Sequence, residues 1–158
     1  MIKKRKQATF DQIRSIQDET ILGISRLAYV YQDEIDRNDG DVELVTTAGV
    51  FGLGSVGGDF LRVLIGRWED PFKEPLSEEN LAYVHDYGCW RQFDCCEIDP
   101  YQLMIGQQID EVQLLRNQFG EVAGVMILVD RIAMWFVVCG DECRVYWEKP
   151  DFFTIDIQ

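Results

Sequence analysis

The chain has 158 residues, of which 47% are hydrophobic, and this length and composition are typical of one globular domain. Its 28 acidic and 15 basic residues give a formal net charge of −13, which disfavours nucleic acid and anionic membranes as partners. No apolar run approaches the roughly 18 residues that cross a bilayer, and no apolar segment follows the basic start as in a secretory signal. We therefore expect an acidic, cytoplasmic protein of bacterial type.

The first predicted helix follows a flexible basic arm over residues 1–8. Thr9 and Gln12 have the spacing of a capping box, which predicts an amphipathic helix over residues 10–19. Residues 24–31 are rich in β-branched and aromatic side chains and predict a strand, although their apolar spacing also suits a helix. One short helix should therefore precede the first strand.

Turn and strand signals alternate after that strand. The Asn-Asp-Gly-Asp run at 38–41 is typical of a tight turn, because these residues tolerate positive φ. Residues 42–47 and 60–65 have the composition of strands. Together these segments predict a first β-unit over residues 22–66.

Prolines interrupt the middle of the chain at residues 69–75. Ser77 can cap a helix that stops at Gly88, and Pro100 suits the first position of a second short helix. We therefore predict a helical insert over residues 67–105.

The last third of the chain predicts a meander, a second β-unit over residues 106–148. Its connections are so short that they can join only antiparallel neighbours, since a parallel return needs about a dozen residues. The tail 149–158 is predicted to be a C-terminal strand that completes the sheet or pairs with the edge of a second copy in a homodimer. The four meander strands are predicted over residues 109–115, 122–129, 132–138 and 143–147.

A repeated motif relates the two β-units. The pattern Gly-Asp-x-x-Arg-Val begins at Gly58 and again at Gly140. Duplication of one unit would explain the repeated motif, and chance similarity between two β-rich stretches is the alternative. The predicted fold class is α+β: a mainly antiparallel sheet, as meanders that are duplicated or form a partly closed barrel, with two or three short helices.

Gly52, Gly54 and Gly57 form the pattern G-x-G-x-x-G, which resembles the fingerprint of dinucleotide-binding folds over about 20 residues. In that family the glycines let a pyrophosphate approach a helix N-terminus. A second parallel strand should follow, but residues 68–75 are polar and contain two prolines. The pattern therefore favours a glycine-rich bend or bulge between antiparallel strands, with nucleotide or redox-cofactor binding as the alternative.

His85 is the one histidine of the chain, and with Cys89, Cys95 and Cys96 it offers four soft ligands of the type zinc prefers. The spacing lacks paired C-x-x-C knuckles, so a metal site is disfavoured and no cofactor is expected. The odd total of five cysteines predicts reduced thiols, and a surface position without a catalytic role is expected for the histidine.

Two hypotheses for function follow from these patterns. The first is a non-catalytic binding module, of the inhibitor, immunity-like or regulatory type, whose acidic and aromatic face engages a basic protein. The second is a nucleotide-binding or redox enzyme that uses residues 52–57. The candidate partner-binding residues are Asp33, Glu34, Asp36, Asp39, Asp41, Trp68 and Trp90.

Overall fold

Alternating apolar side chains from two antiparallel sheets meet in one shared core. The computed structural model describes residues 4–156, and within them every strand pairing is antiparallel. Leu44 and Leu53 of the first sheet lie in the same buried cluster as Ile127 and Phe136 of the second. The prediction of a mainly antiparallel α+β fold is confirmed.

The first sheet has the order β1-β6-β5-β4-β2, and β2 pairs further with both β3 and β7. Tyr29 pairs with Asp36 of β3 and with Trp90 of β7, so these two strands lie on opposite edges of β2. The strands are β1 (Lys6–Gln7), β2 (Ile21–Tyr31), β3 (Glu34–Asp36), β4 (Val42–Thr46), β5 (Gly49–Ser55), β6 (Leu61–Ile65) and β7 (Cys89–Asp94).

The second sheet has the order β11-β10-β9-β8-β12 and contains the meander predicted for the last third of the chain. On the outer side of this sheet, Phe153 and Trp135 belong to a second, smaller buried cluster. The strands are β8 (Glu111–Arg116), β9 (Val122–Val129), β10 (Ile132–Cys139), β11 (Glu142–Tyr146) and β12 (Thr154–Ile155).

The helices are short, and two of them have the predicted caps. Helix α1 (Phe10–Arg14) begins with the Thr9 capping box but ends earlier than predicted. Helix α2 (Glu78–Tyr87) is capped by Ser77 and ends at Gly88. The segment after Pro100 forms a 3-10 helix (Tyr101–Met104). No helix in residues 4–156 is both long and apolar enough to span a membrane.

Three sequence expectations differ from the structure. The basic arm is not free between Lys6 and Ala8, because β1 pairs with β6 and Ala8 is buried. The segment 67–105 is not wholly a helical insert, because it contains β7. The glycine-rich stretch is only partly a bend, since Gly52 and Gly54 pair in regular register inside β5, whereas Gly57 lies in the bend that joins the antiparallel strands β5 and β6. Residues 1–3 of the predicted arm and Ile157 of the predicted tail strand lie outside the described residues.

Candidate functional site

Two glycines leave part of one face of the first sheet without side chains. Gly52 and Gly54 are two residues apart on β5, so both lie on the face turned away from the core. A Cβ on Gly52 would lie 2.5 Å from Nη1 of Arg5, and one on Gly54 would lie 2.6 Å from Oδ2 of Asp41. The bare strand therefore lets these two charged side chains lie flat on the sheet and forms the floor of a cleft.

A third charge joins that floor from the neighbouring strand. Arg62 on β6 pairs directly with Gly54, and its Nε is buried without a hydrogen-bond partner. Burial raises the pKa of Asp41 above its ordinary value, although the charges of Arg62 and Arg5 pull it down. The Asp41 carboxyl is thus partly desolvated and lies near enough to both guanidinium groups for their charges to act on it.

Aromatic side chains form the walls of this cleft, which has a volume of about 500 Å³. A volume of this size lies within the range of about 300–1,000 Å³ found for small-molecule sites. The rings of Tyr29 and Trp90 meet edge to face with centroids 5.4 Å apart. The aromatic lining consists of Tyr29, Trp68, Phe72, Tyr83 and Trp90.

Polar contacts hold the irregular segment between β6 and α2, residues 66–77, against the first sheet. The buried Glu43 accepts a hydrogen bond of 2.8 Å from the backbone N–H of Trp68. Arg91 on β7 forms an ion pair with Asp70 and donates a 3.0 Å hydrogen bond to the carbonyl of Phe72. These anchors hold the irregular segment against the sheet.

Helix α2 lies at the rim of the cleft and has no buried residue. Tyr83 stacks on Phe72 at a centroid distance of 5.4 Å, and the hydroxyl of Tyr29 donates to the carbonyl of Tyr87. Leu81, Tyr83 and Tyr87 are nevertheless exposed, with 63% of the surface of Tyr87 accessible. The first turn carries Glu78 and Glu79, which favour the positive end of the helix dipole. The helix presents an acidic and aromatic surface.

The structure brings three of the predicted partner-binding residues together, because Asp41, Trp68 and Trp90 all line the cleft. Asp39 instead accepts a 2.7 Å hydrogen bond from the backbone N–H of Cys143 and ties the two sheets together. The remaining three carboxylates are exposed on the β2–β3 hairpin, beyond the end of α2: Asp33, Glu34 and Asp36.

The two arginines of the cleft are not among the site residues that the sequence predicts. Arg5 falls in the predicted flexible arm, and Arg62 is part of the repeated motif. Their place over β5 depends on which strands are neighbours, and a single sequence does not show this. The available signal was the pair of glycines two residues apart in a strand, which predicts a bare patch on one face.

The residues considered for zinc do not assemble. His85 is exposed on α2, whereas Cys89 and Cys95 are buried. Among residues 4–156 no group of three or more His, Cys, Asp or Glu side chains could hold a metal ion. Burial raises the pKa of Cys95 to about 11 and that of Cys143 to about 12, so both thiols are protonated at neutral pH.

The glycine fingerprint lacks the context that nucleotide binding would require. β5 runs antiparallel to both β4 and β6, and the segment after the glycines is strand β6 rather than a helix. No helix N-terminus therefore points at Gly52 or Gly54 from that side. Gly57 lies in the following loop, where its N–H donates a 3.0 Å hydrogen bond to the hydroxyl of Ser55.

Comparison with protein-family models, with curated proteins and with solved structures finds no match.

Proposed function

We propose that this protein is a non-catalytic binding module that engages a basic protein through the surface of α2 and the adjoining β2–β3 hairpin. The observation that carries this proposal is that α2, a helix of 10 residues, has no buried side chain. Most helices gain their stability by packing an apolar face against the rest of the protein. An exposed helix that carries Leu81, Tyr83 and Tyr87 is consistent with a partner that covers it.

Charge on this surface favours a basic partner. Residues 69–87 contain six carboxylates against one lysine, Lys73. The hairpin adds the exposed Asp33, Glu34 and Asp36, and the contact between Tyr29 and Tyr87 places its base beside the end of α2. A carboxylate-rich rim around exposed aromatic side chains would steer a basic protein toward the aromatic anchors.

A charge-reversal experiment tests this proposal. Tagged wild-type chain, the double variant Glu78→Lys/Glu79→Lys, and the control Glu148→Lys/Asp151→Lys would be used to capture proteins from the source cells. Glu148 and Asp151 are also exposed but follow the last strand of the meander. Because each double variant replaces two carboxylates with two lysines, the two variants change net charge equally. We expect a basic protein to be retained by the wild type and the control and lost by the α2 variant.

The salt dependence of that complex gives the second criterion. Association driven by opposite charges should slow as ionic strength rises. A partner lost equally from both variants, or one whose association rate ignores salt, would contradict the assignment of this surface.

We extend the proposal to the setting of the protein. The net charge of −13 supports a cytoplasmic protein that binds neither nucleic acid nor membranes. Pairing of two copies through the C-terminal strand would use the outer edge of β12, because its inner edge pairs with β8 of the same chain and β12 is the last strand of the second sheet. The edge strand β11 is the alternative for a homodimer.

We also propose that the two β-units arose by duplication. The two echoing motifs meet in space: Asp59 accepts a 2.6 Å hydrogen bond from the N–H of Gly140, and Asp141 accepts one from the N–H of Gly58. Reciprocal contacts between equivalent positions are what a pseudo-twofold axis produces. The order β6-β5-β4-β2 also matches β11-β10-β9-β8. Relatives that keep one Gly-Asp pair and not the other would count against duplication.

A further inference from the structure

The floor of the cleft holds opposite charges that lack hydrogen-bond partners. In the part of the chain that the structure describes, the Asp41 carboxylate is influenced by Arg62 and Arg5 only through their charges, without a hydrogen bond. The Nε of Arg62 is buried and also makes no hydrogen bond. Leaving the buried Nε of Arg62 unsatisfied is costly, and a ligand group that accepts a hydrogen bond from it would remove that cost.

The rest of the cleft suits a ring. Trp68, Phe72, Tyr83 and Trp90 supply aromatic surface around the charged floor. Aromatic side chains stack on a flat ring, or contact it edge to face, and such contacts stabilise a bound ring beyond the burial of its area. The ring and the charged groups of a ligand would therefore occupy different parts of one cavity.

We propose that this cleft binds a small aromatic amino acid as a zwitterion, with its carboxylate held by Arg5 and Arg62, its ammonium group by Asp41 and its ring by the aromatic walls. Guanidinium groups bind carboxylates through paired, charge-assisted hydrogen bonds, and a carboxylate accepts from an ammonium group in the same way.

The arrangement of charge distinguishes a zwitterion from simpler ligands. A ligand with only a carboxylate would leave Asp41 unpaired and beside a second negative charge. A ligand with only an ammonium group would meet the positive charges of Arg5 and Arg62. Since an unpaired charge in a desolvated site is costly, the ligand that carries both groups should bind most tightly.

Calorimetric titration of the full chain at neutral pH tests this proposal with matched probes. Phenylalanine and tryptophan carry all three features. 3-Phenylpropanoate lacks the ammonium group, phenethylamine lacks the carboxylate, and alanine lacks the ring. We expect both aromatic amino acids to bind, and each deletion probe to bind at least about tenfold more weakly than phenylalanine, which corresponds to about 1.4 kcal/mol.

Variants then assign the ammonium group to its site. Asp41→Asn should reduce the preference for phenylalanine over 3-phenylpropanoate to less than about twofold, because the attraction for the ammonium group is lost. Gly54→Ala should have the same effect without changing charge, since its Cβ would displace the Asp41 carboxylate. Asp151→Asn, an exposed carboxylate outside the cleft, is the control and should keep the preference.

Absence of binding of both aromatic amino acids at millimolar concentration would overturn the proposal, as would equal affinity for phenylalanine and its deletion probes. A preference that survives in both Asp41→Asn and Gly54→Ala would also overturn it, provided that both variants melt cooperatively. The titration needs no protein partner, so its outcome is independent of the function proposed for α2.

Discussion

Gly88 joins the end of α2 to the start of β7 in a conformation that only glycine adopts easily. Its φ is +76°, and a Cβ there would lie 2.5 Å from the carbonyl oxygen of Val30. Gly120, in the turn between β8 and β9, has the same φ, but a Cβ there would meet nothing within 4 Å. The two positions therefore share one backbone strain and differ in a steric clash.

Substitution of these glycines separates the two effects. Gly120→Ala should lower the free energy of unfolding by about 1 kcal/mol, the cost of the left-handed conformation. Gly88→Ala should lower it by about 3 kcal/mol or more, because β2 must also move. Urea unfolding of the two variants measures the difference. Equal losses of unfolding free energy in the two variants would contradict the close approach of β2 to Gly88.

Asp41 predicts a pH effect on stability. Its pKa is raised by burial, whereas the pKa of an aspartate in an unfolded chain is about 3.9. Such a carboxyl favours folding most below the unfolded value, and this contribution is lost as pH rises through the folded value. At pH 7 the ionised group therefore opposes folding.

Asp41→Asn should raise the midpoint of urea unfolding at pH 7, and the gain should shrink as pH falls toward 4. Asp33→Asn, which changes an exposed carboxylate, provides the comparison at each pH. A lower midpoint for Asp41→Asn at pH 7 would mean that attraction to Arg62 and Arg5 outweighs the cost of burial.

Single residues were predictable where the signal is local. The cap of α1 at Thr9 and the end of α2 at Gly88 follow from residues within one turn of each helix. The role of Gly52 and Gly54 was not predicted, because the groups that lie over them come from Arg5 and Asp41, which are distant along the chain and immediately precede β1 and β4.

At the scale of elements, α1 and α2 depend on their caps in different ways. The Thr9 hydroxyl accepts from the backbone N–H of Gln12, and α1 buries Ile13 in the core. The Ser77 hydroxyl accepts a 3.1 Å hydrogen bond from the backbone N–H of Asn80, but α2 buries nothing. Loss of either cap costs about 1 kcal/mol of helix stability.

Removal of the Ser77 cap should therefore loosen α2 alone. In Ser77→Ala we expect faster hydrogen exchange at the amides of α2 with little change in the melting temperature, because local opening does not require the core to unfold. Thr9→Ala should instead lower the melting temperature, since α1 is part of the core. Global destabilisation by Ser77→Ala would contradict the exposed position of α2.

Strands were predictable where composition and connection length agree. Strands β8 to β11 were recognised from dense β-branched sequence and turns of a few residues. Strand β7 was missed because Cys-Trp-Arg-Gln-Phe-Asp mixes polar and aromatic residues and follows two prolines. Its pairing partner, β2, is distant in sequence, so tertiary contacts rather than local propensity decide that it is a strand.

For the whole molecule, the reciprocal contacts of Asp59 and Asp141 join the two sheets at one end. Each of Asp59→Ala and Asp141→Ala removes one of these hydrogen bonds and should lower the free energy of unfolding by about 1 kcal/mol. The double variant should lose measurably less or more than the sum, because the two turns share partners. Asp151→Ala is the exposed control. Strict additivity in urea unfolding would show that the two turns act independently.

The surface of α2 can be tested most directly by photocrosslinking in the source cells. A photoreactive amino acid would replace Leu81, which is 54% exposed on α2, or Phe119, which is 67% exposed between β8 and β9. We predict that the chain labelled at position 81 crosslinks to one discrete basic protein, and that the chain labelled at position 119 does not. Added salt should lower the yield of this crosslink, because it weakens the association that precedes it. The same product from both positions, or only an acidic protein captured from position 81, would contradict the proposed function.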